Sequence, residues 1–72
     1  MDKIKEQKLK MWRQKLEELE KNLEDAMRRR GEAAREGDLR ENAAYQMATE
    51  DAETFRARIG DVKTIITQLE GK

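Results

Sequence analysis

The sequence predicts an all-α fold, an antiparallel two-helix coiled-coil hairpin, on three observations. Apolar residues recur at alternating intervals of three and four along two separate stretches. A Gly-Asp step, Gly37–Asp38, divides those stretches. Across that step, residues expected to face each other have numbers with a constant sum, 78, as two helices running in opposite directions require.

Helix 1 is expected over about residues 3–36, with a seam of Leu9, Trp12, Leu16, Leu19, Leu23, Ala26, Arg30 and Ala33. No proline interrupts the chain, and Glu, Lys, Arg, Ala, Leu and Gln, all good helix formers, dominate it. Glycine commonly ends a helix in the left-handed region, and Asp is a good N-cap, so the turn is placed at residues 37–38. Helix 2 is expected over about residues 39–70, with a seam of Tyr45, Ala48, Ala52, Phe55, Ile59, Val62, Ile66 and Leu69. Leu9 then faces Leu69, Trp12 faces Ile66, Leu16 faces Val62, Leu19 faces Ile59 and Leu23 faces Phe55. Nearer the turn, Ala26 faces Ala52, Arg30 faces Ala48 and Ala33 faces Tyr45. Flanking charges agree with this register, because Arg13 falls near Glu70, Arg29 near Asp51, and Glu20 between Arg56 and Lys63. At about 1.5 Å per residue the rod should be roughly 45–50 Å long. It should be bulky at the open end and slender toward the turn, where the seam thins to alanine. Residues 1–72 read as one hairpin, with no internal boundary for a second domain.

Composition narrows the function. The 72 residues contain no Cys, His, Ser or Pro. Disulfides, thiolate or imidazole zinc sites, serine or cysteine nucleophiles and an imidazole base are therefore excluded, and the chain is not expected to be an enzyme in its own right. Sixteen basic residues balance sixteen acidic ones, so no global excess of charge attracts nucleic acid or anionic lipid. No apolar run is long enough for a membrane span or a secretory signal, which makes the cytoplasm the expected compartment.

The turn carries the candidate chemistry. Asp38 followed three residues later by Glu41 has the form of a capping box at the start of helix 2. The same two carboxylates suit Mg²⁺, which takes oxygen ligands, keeps several waters and can accept one or two carboxylates while its other ligands come from elsewhere. A slender rod ending in acids is thus either a probe or a well-capped hairpin.

The string GDLRENAAY, Gly37 to Tyr45, resembles the GDLxENAEY tip of the Gre transcript-cleavage factors, which act on bacterial RNA polymerase. Ala34, Arg35 and Glu36 are similar to the family's AREHGD approach, and KLEELE, Lys15 to Glu20, to its leucine-rich first helix. Phe55, Arg58 and Ile59 fall at the family's F-x-x-x-R-I pattern with one difference in spacing. The resemblance covers about residues 10–70. It implies an N-terminal helical hairpin that enters the polymerase secondary channel. In that reading Asp38 and Glu41 act catalytically by helping to hold a Mg²⁺ shared with RNA polymerase, and the isolated chain binds no cofactor. Hydrolysis of backtracked transcript RNA remains the polymerase's own chemistry. Arg35, Leu39, Arg40, Asn42 and Tyr45 would contact the polymerase, with transcript RNA met only indirectly. Three differences from the family pattern stand out: Ala44 replaces the second acid of NAEY, a residue between Glu36 and Gly37 is missing, and no FKBP-like second domain occurs within these residues.

Two other readings remain open. If the tip acids are re-aimed by the missing residue, the hairpin would block the channel and inhibit. The second, of a different class, is a coiled-coil interaction module without polymerase function that self-associates into a four-helix bundle, motivated by Ile4 and Met11 on one stripe and by Met27, Met47 and Ile65 off the seam. Trp12, Ile4 and Met11 make the open end the expected homodimer contact. The run Arg28–Arg30 reads as a solvated face, or as a contact to an acidic lining.

Overall fold

The computed structural model describes residues 3–71. Two helices, α1 (Lys3–Ala34) and α2 (Ala43–Glu70), run antiparallel, joined by a segment that includes one 3-10 turn, Leu39–Glu41. The hairpin is a rod of 55 × 14 × 12 Å. Its radius of gyration, 16.3 Å, exceeds the ~11 Å of a compact domain this long.

Among the described residues the eight buried ones lie on the two expected seams: Leu19, Ala26, Ala33, Ala48, Ala52, Ile59, Val62 and Ile66. Leu19, Ile59, Val62 and Ile66 form the core, and the half-buried Leu9, Trp12, Leu16, Leu23 and Phe55 pack against it. This places bulk toward the open end, while Ala26, Ala48 and Ala52 are 1% exposed or less in the thinner half. Two of the expected cross-helix ion pairs form, Arg13 with Glu70 and Arg29 with Asp51 at 3.3 Å. Among the described residues Glu20 makes no ion pair, so the third expected pairing is not formed.

The turn differs from expectation. Helix 1 stops at Ala34, two residues early, and α2 begins at Ala43 instead of residue 39, so a broad connection replaces the two-residue turn. The measured length also exceeds the expected 45–50 Å, because this connection adds to one end of the rod. At the seam near the turn, Arg30 stands where an apolar residue would be expected. Its guanidinium lies 5.3 Å from the centre of the Tyr45 ring and donates to the Tyr45 hydroxyl at 3.1 and 3.3 Å, which lets a charged residue sit half-buried there.

Charge is distributed unevenly along the rod. Residues 3–16 and 62–71, the open end, hold seven Lys and Arg against two Asp and Glu, whereas residues 17–61 hold eight against thirteen. Neither helix is long and apolar enough to cross a membrane.

Candidate functional site

The tip is built by closing two helix ends with few atoms. Helix 1 tightens as it finishes, with Arg35 N donating to Glu32 O at 3.3 Å and Glu36 N to Ala33 O at 3.0 Å. Gly37 then takes φ +116°, a conformation that a side chain would strain, and turns the chain out of the helix direction. Asp38 follows at φ −44°, ψ 105°, and its Oδ1 accepts from Arg40 N at 3.0 Å, which caps the 3-10 turn.

Asp38 and Glu41 therefore do not form the capping box expected of them. Asn42 is the N-cap of α2, with its Oδ1 accepting from Tyr45 N at 3.1 Å. The other end of the same amide, Nδ2, donates to Ala33 O at 2.7 Å, a second donor to the carbonyl that also accepts from Glu36 N at the end of α1. One half-buried side chain thus ties the two helix ends together. The physical reason for the shift is reach: an amide carries both a donor and an acceptor, and a carboxylate at position 38 could serve only donors.

With the cap assigned to Asn42, the carboxylates are left facing outward. Glu36, Asp38 and Glu41 line an open concavity of about 330 Å³ together with Asn42 and Ala43. All three acids are exposed. Glu41 makes no hydrogen bond or ion pair among the described residues, and Asp38 uses one of its two oxygens. Hard oxygen donors with open valences suit Mg²⁺, yet among the described residues no three His, Cys, Asp or Glu are grouped closely enough to hold a metal ion together. Glu36 is an addition to the two acids singled out in the sequence, brought near because the chain doubles back at Gly37.

The remaining candidate residues divide by role. Arg35, Leu39 and Arg40 are exposed on the connection, Leu39 at 44%, and are available to a partner. Asn42 and Tyr45 are half-buried and engaged within the hairpin, Tyr45 through Arg30. Gln46, which the sequence pattern did not single out, donates from Nε2 to Arg40 O at 2.8 Å.

Below the tip, an arginine network braces helix 1. Arg28 pairs with Asp25 and, at 3.2 Å, with Glu32, while Arg29 Nε pairs with Asp25 at 3.0 Å and its Nη2 reaches Asp51 of α2. Hydrogen bonds first from Arg29 and then from Arg28 hold the Asp25 carboxyl below its ordinary value of 3.8. The Arg28–Arg30 run is thereby largely satisfied inside the hairpin.

Comparison with known proteins agrees with this architecture. The sequence model of the GreA/GreB family, described as transcription elongation factor, N-terminal, matches residues 3–70. Two proteins named transcription elongation factor GreA, from Mesomycoplasma hyopneumoniae strains J and 7448, are each 36% identical over 78 aligned positions, covering 97% of this chain and 49% of theirs. The alignment is longer than the chain, so this hairpin lacks residues that those relatives have. The chain spans about half the length of the curated relatives it matches. No solved structure matches it. With a family match over nearly its whole length, on a hairpin whose tip carries the family's motif, the chain belongs to the N-terminal family of the GreA/GreB transcription elongation factors.

Proposed function

We propose that this hairpin enters the secondary channel of RNA polymerase and presents Asp38 and Glu41 to a Mg²⁺ ion at the polymerase active centre, assisting cleavage of backtracked RNA. The observation that carries the reading is the freedom of the two carboxylates: with Asn42 capping α2, Glu41 has no internal partner and Asp38 keeps an oxygen open. Two carboxylates at the end of a rod 55 Å long and 12–14 Å across suit delivery into a narrow passage. Bound there, the ion would polarise a phosphodiester and lower the pKa of an attacking water. The chain's own part is to place the two carboxylates, with Arg35, Leu39 and Arg40 exposed beside them for contact with the channel.

The test uses changes that keep the tip folded. Asparagine at position 38 can still accept from Arg40 N, and glutamine at position 41 removes no internal bond. Asp38→Asn and Glu41→Gln should therefore leave folding and competition for the channel intact. Each should lower stimulated cleavage in a backtracked complex by roughly tenfold or more, since even indirect support of a metal site is worth 10- to 100-fold. Saturating wild-type hairpin that competes for the channel without raising cleavage above polymerase alone would reject this reading in favour of a channel-blocking inhibitor.

A further inference from the structure

Gln46 stands one turn into α2, outside the GDLRENAAY string, and its side chain reaches back over the helix start to the tip. Its backbone is already fixed, since Gln46 N donates to Asn42 O at 3.1 Å in the first hydrogen bond of α2. From this anchored position its Nε2 donates to Arg40 O at 2.8 Å. The Arg40 carbonyl and the Glu41 N–H belong to one planar peptide group, so a bond that fixes the carbonyl also fixes the direction in which the chain enters Glu41. The preceding peptide is fixed by Asp38, which accepts from Arg40 N. The two peptides flanking Arg40 are thus each held once, one from the connection and one from α2. The 3-10 turn has no buried residue of its own to hold it.

We propose that Gln46 is a positioning residue for Glu41, holding the peptide that carries this carboxylate in a single orientation relative to the rod. The inference rests on the reading that Glu41 serves as a ligand. It acts on geometry alone, because Gln46 bears no charge and its side-chain bond goes to the Arg40 carbonyl and to neither carboxylate. A free 3-10 turn would spread Glu41 over several orientations, and a metal ligand displaced by about 1 Å loses much of its value.

The test compares the wild-type hairpin with Gln46→Ala, which removes the donor, and Gln46→Glu, which keeps the shape but offers only acceptors to the Arg40 carbonyl when ionised. Two measurements are made on each: backbone amide order parameters at Arg40 and Glu41 in the free hairpin, and stimulated cleavage as a function of hairpin concentration. Both variants should lower the order parameters from about 0.85 toward 0.6 while the helices stay unchanged. Both should lower maximal cleavage about 3- to 10-fold, the range spanned by the net value of one hydrogen bond, at an unchanged half-saturating concentration. Order parameters that do not move overturn the inference, as does a looser turn with full maximal cleavage. A wild-type hairpin that never stimulates cleavage overturns the proposed function and this inference together, whereas an active wild type with equally active variants overturns the inference alone.

Discussion

Asn42 decides how the hairpin closes, because its amide serves both helices at once. Asn42→Ala removes the bond to Ala33 O and the bond from Tyr45 N, which leaves the Tyr45 N–H to water and the Ala33 carbonyl with Glu36 N as its donor. Asn42→Ser retains an N-cap oxygen but is too short to span to helix 1. The alanine variant should lose about 1–2 kcal/mol by urea unfolding and the serine variant roughly half of that or less. Equal and negligible losses would show that the bridge contributes nothing. The position of this cap was poorly legible in the sequence for a definite reason. Asp38 and Glu41 have capping-box spacing, and Gly37 immediately before them gives an acceptable turn, so local rules favour starting helix 2 at once. The competing signal was present in Asn42, itself a preferred N-cap residue, but its second bond, to a carbonyl nine residues earlier, exists only when the helices are already side by side.

At the scale of the helices, the seams were legible throughout because their period is a direct consequence of burial. Among the described residues each buried one falls on the seam that spacing assigns to the interface, and the register also predicts Arg13–Glu70 and Arg29–Asp51. What spacing could not give was the chemistry within a helix, such as Arg28 and Arg29 turning toward Asp25, since charged residues three and four apart offer many equivalent pairings. That cluster makes helix 1 sensitive to acid. The Asp25 carboxyl is depressed in the folded chain, so its contribution is present above the unfolded value of 3.8 and is lost as pH falls through the lower folded value. Asp25→Asn should therefore be less thermally stable than wild type at neutral pH, with the difference in Tm shrinking as pH drops below 3.8. Parallel Tm profiles for the two proteins across that window would remove Asp25 from the acid response. The change should be modest, as the carboxylate is exposed to solvent.

For the whole molecule, the separation of charge bears on self-association. Ile4 and Met11 are 65% and 53% exposed near the open end, the apolar stripe from which a dimer was anticipated. Joining two open ends would also bring together two surfaces that each hold seven basic residues against two acidic ones. Sedimentation at micromolar concentration should accordingly find a monomer at low salt, with any association appearing only as salt rises and screens the repulsion. A dimer strongest at low salt would mean that the contact lies elsewhere on the rod, where opposite charges can meet.

The same distribution changes what a net charge of zero means. At physiological ionic strength an exposed charge is felt over about 8 Å, a small fraction of this 55 Å rod. A partner at the open end is screened from most of the acids that balance it farther along the rod. Electrically the hairpin is a cation-rich open end, a shaft (residues 17–27 and 46–61) with three basic residues against nine acidic, and a tip (residues 28–45) with five against four, so its overall neutrality is not what a local partner meets. An approaching surface meets a cation-rich open end, an anion-rich shaft or a nearly balanced tip, so a charged partner is sorted by region before any side chain makes contact.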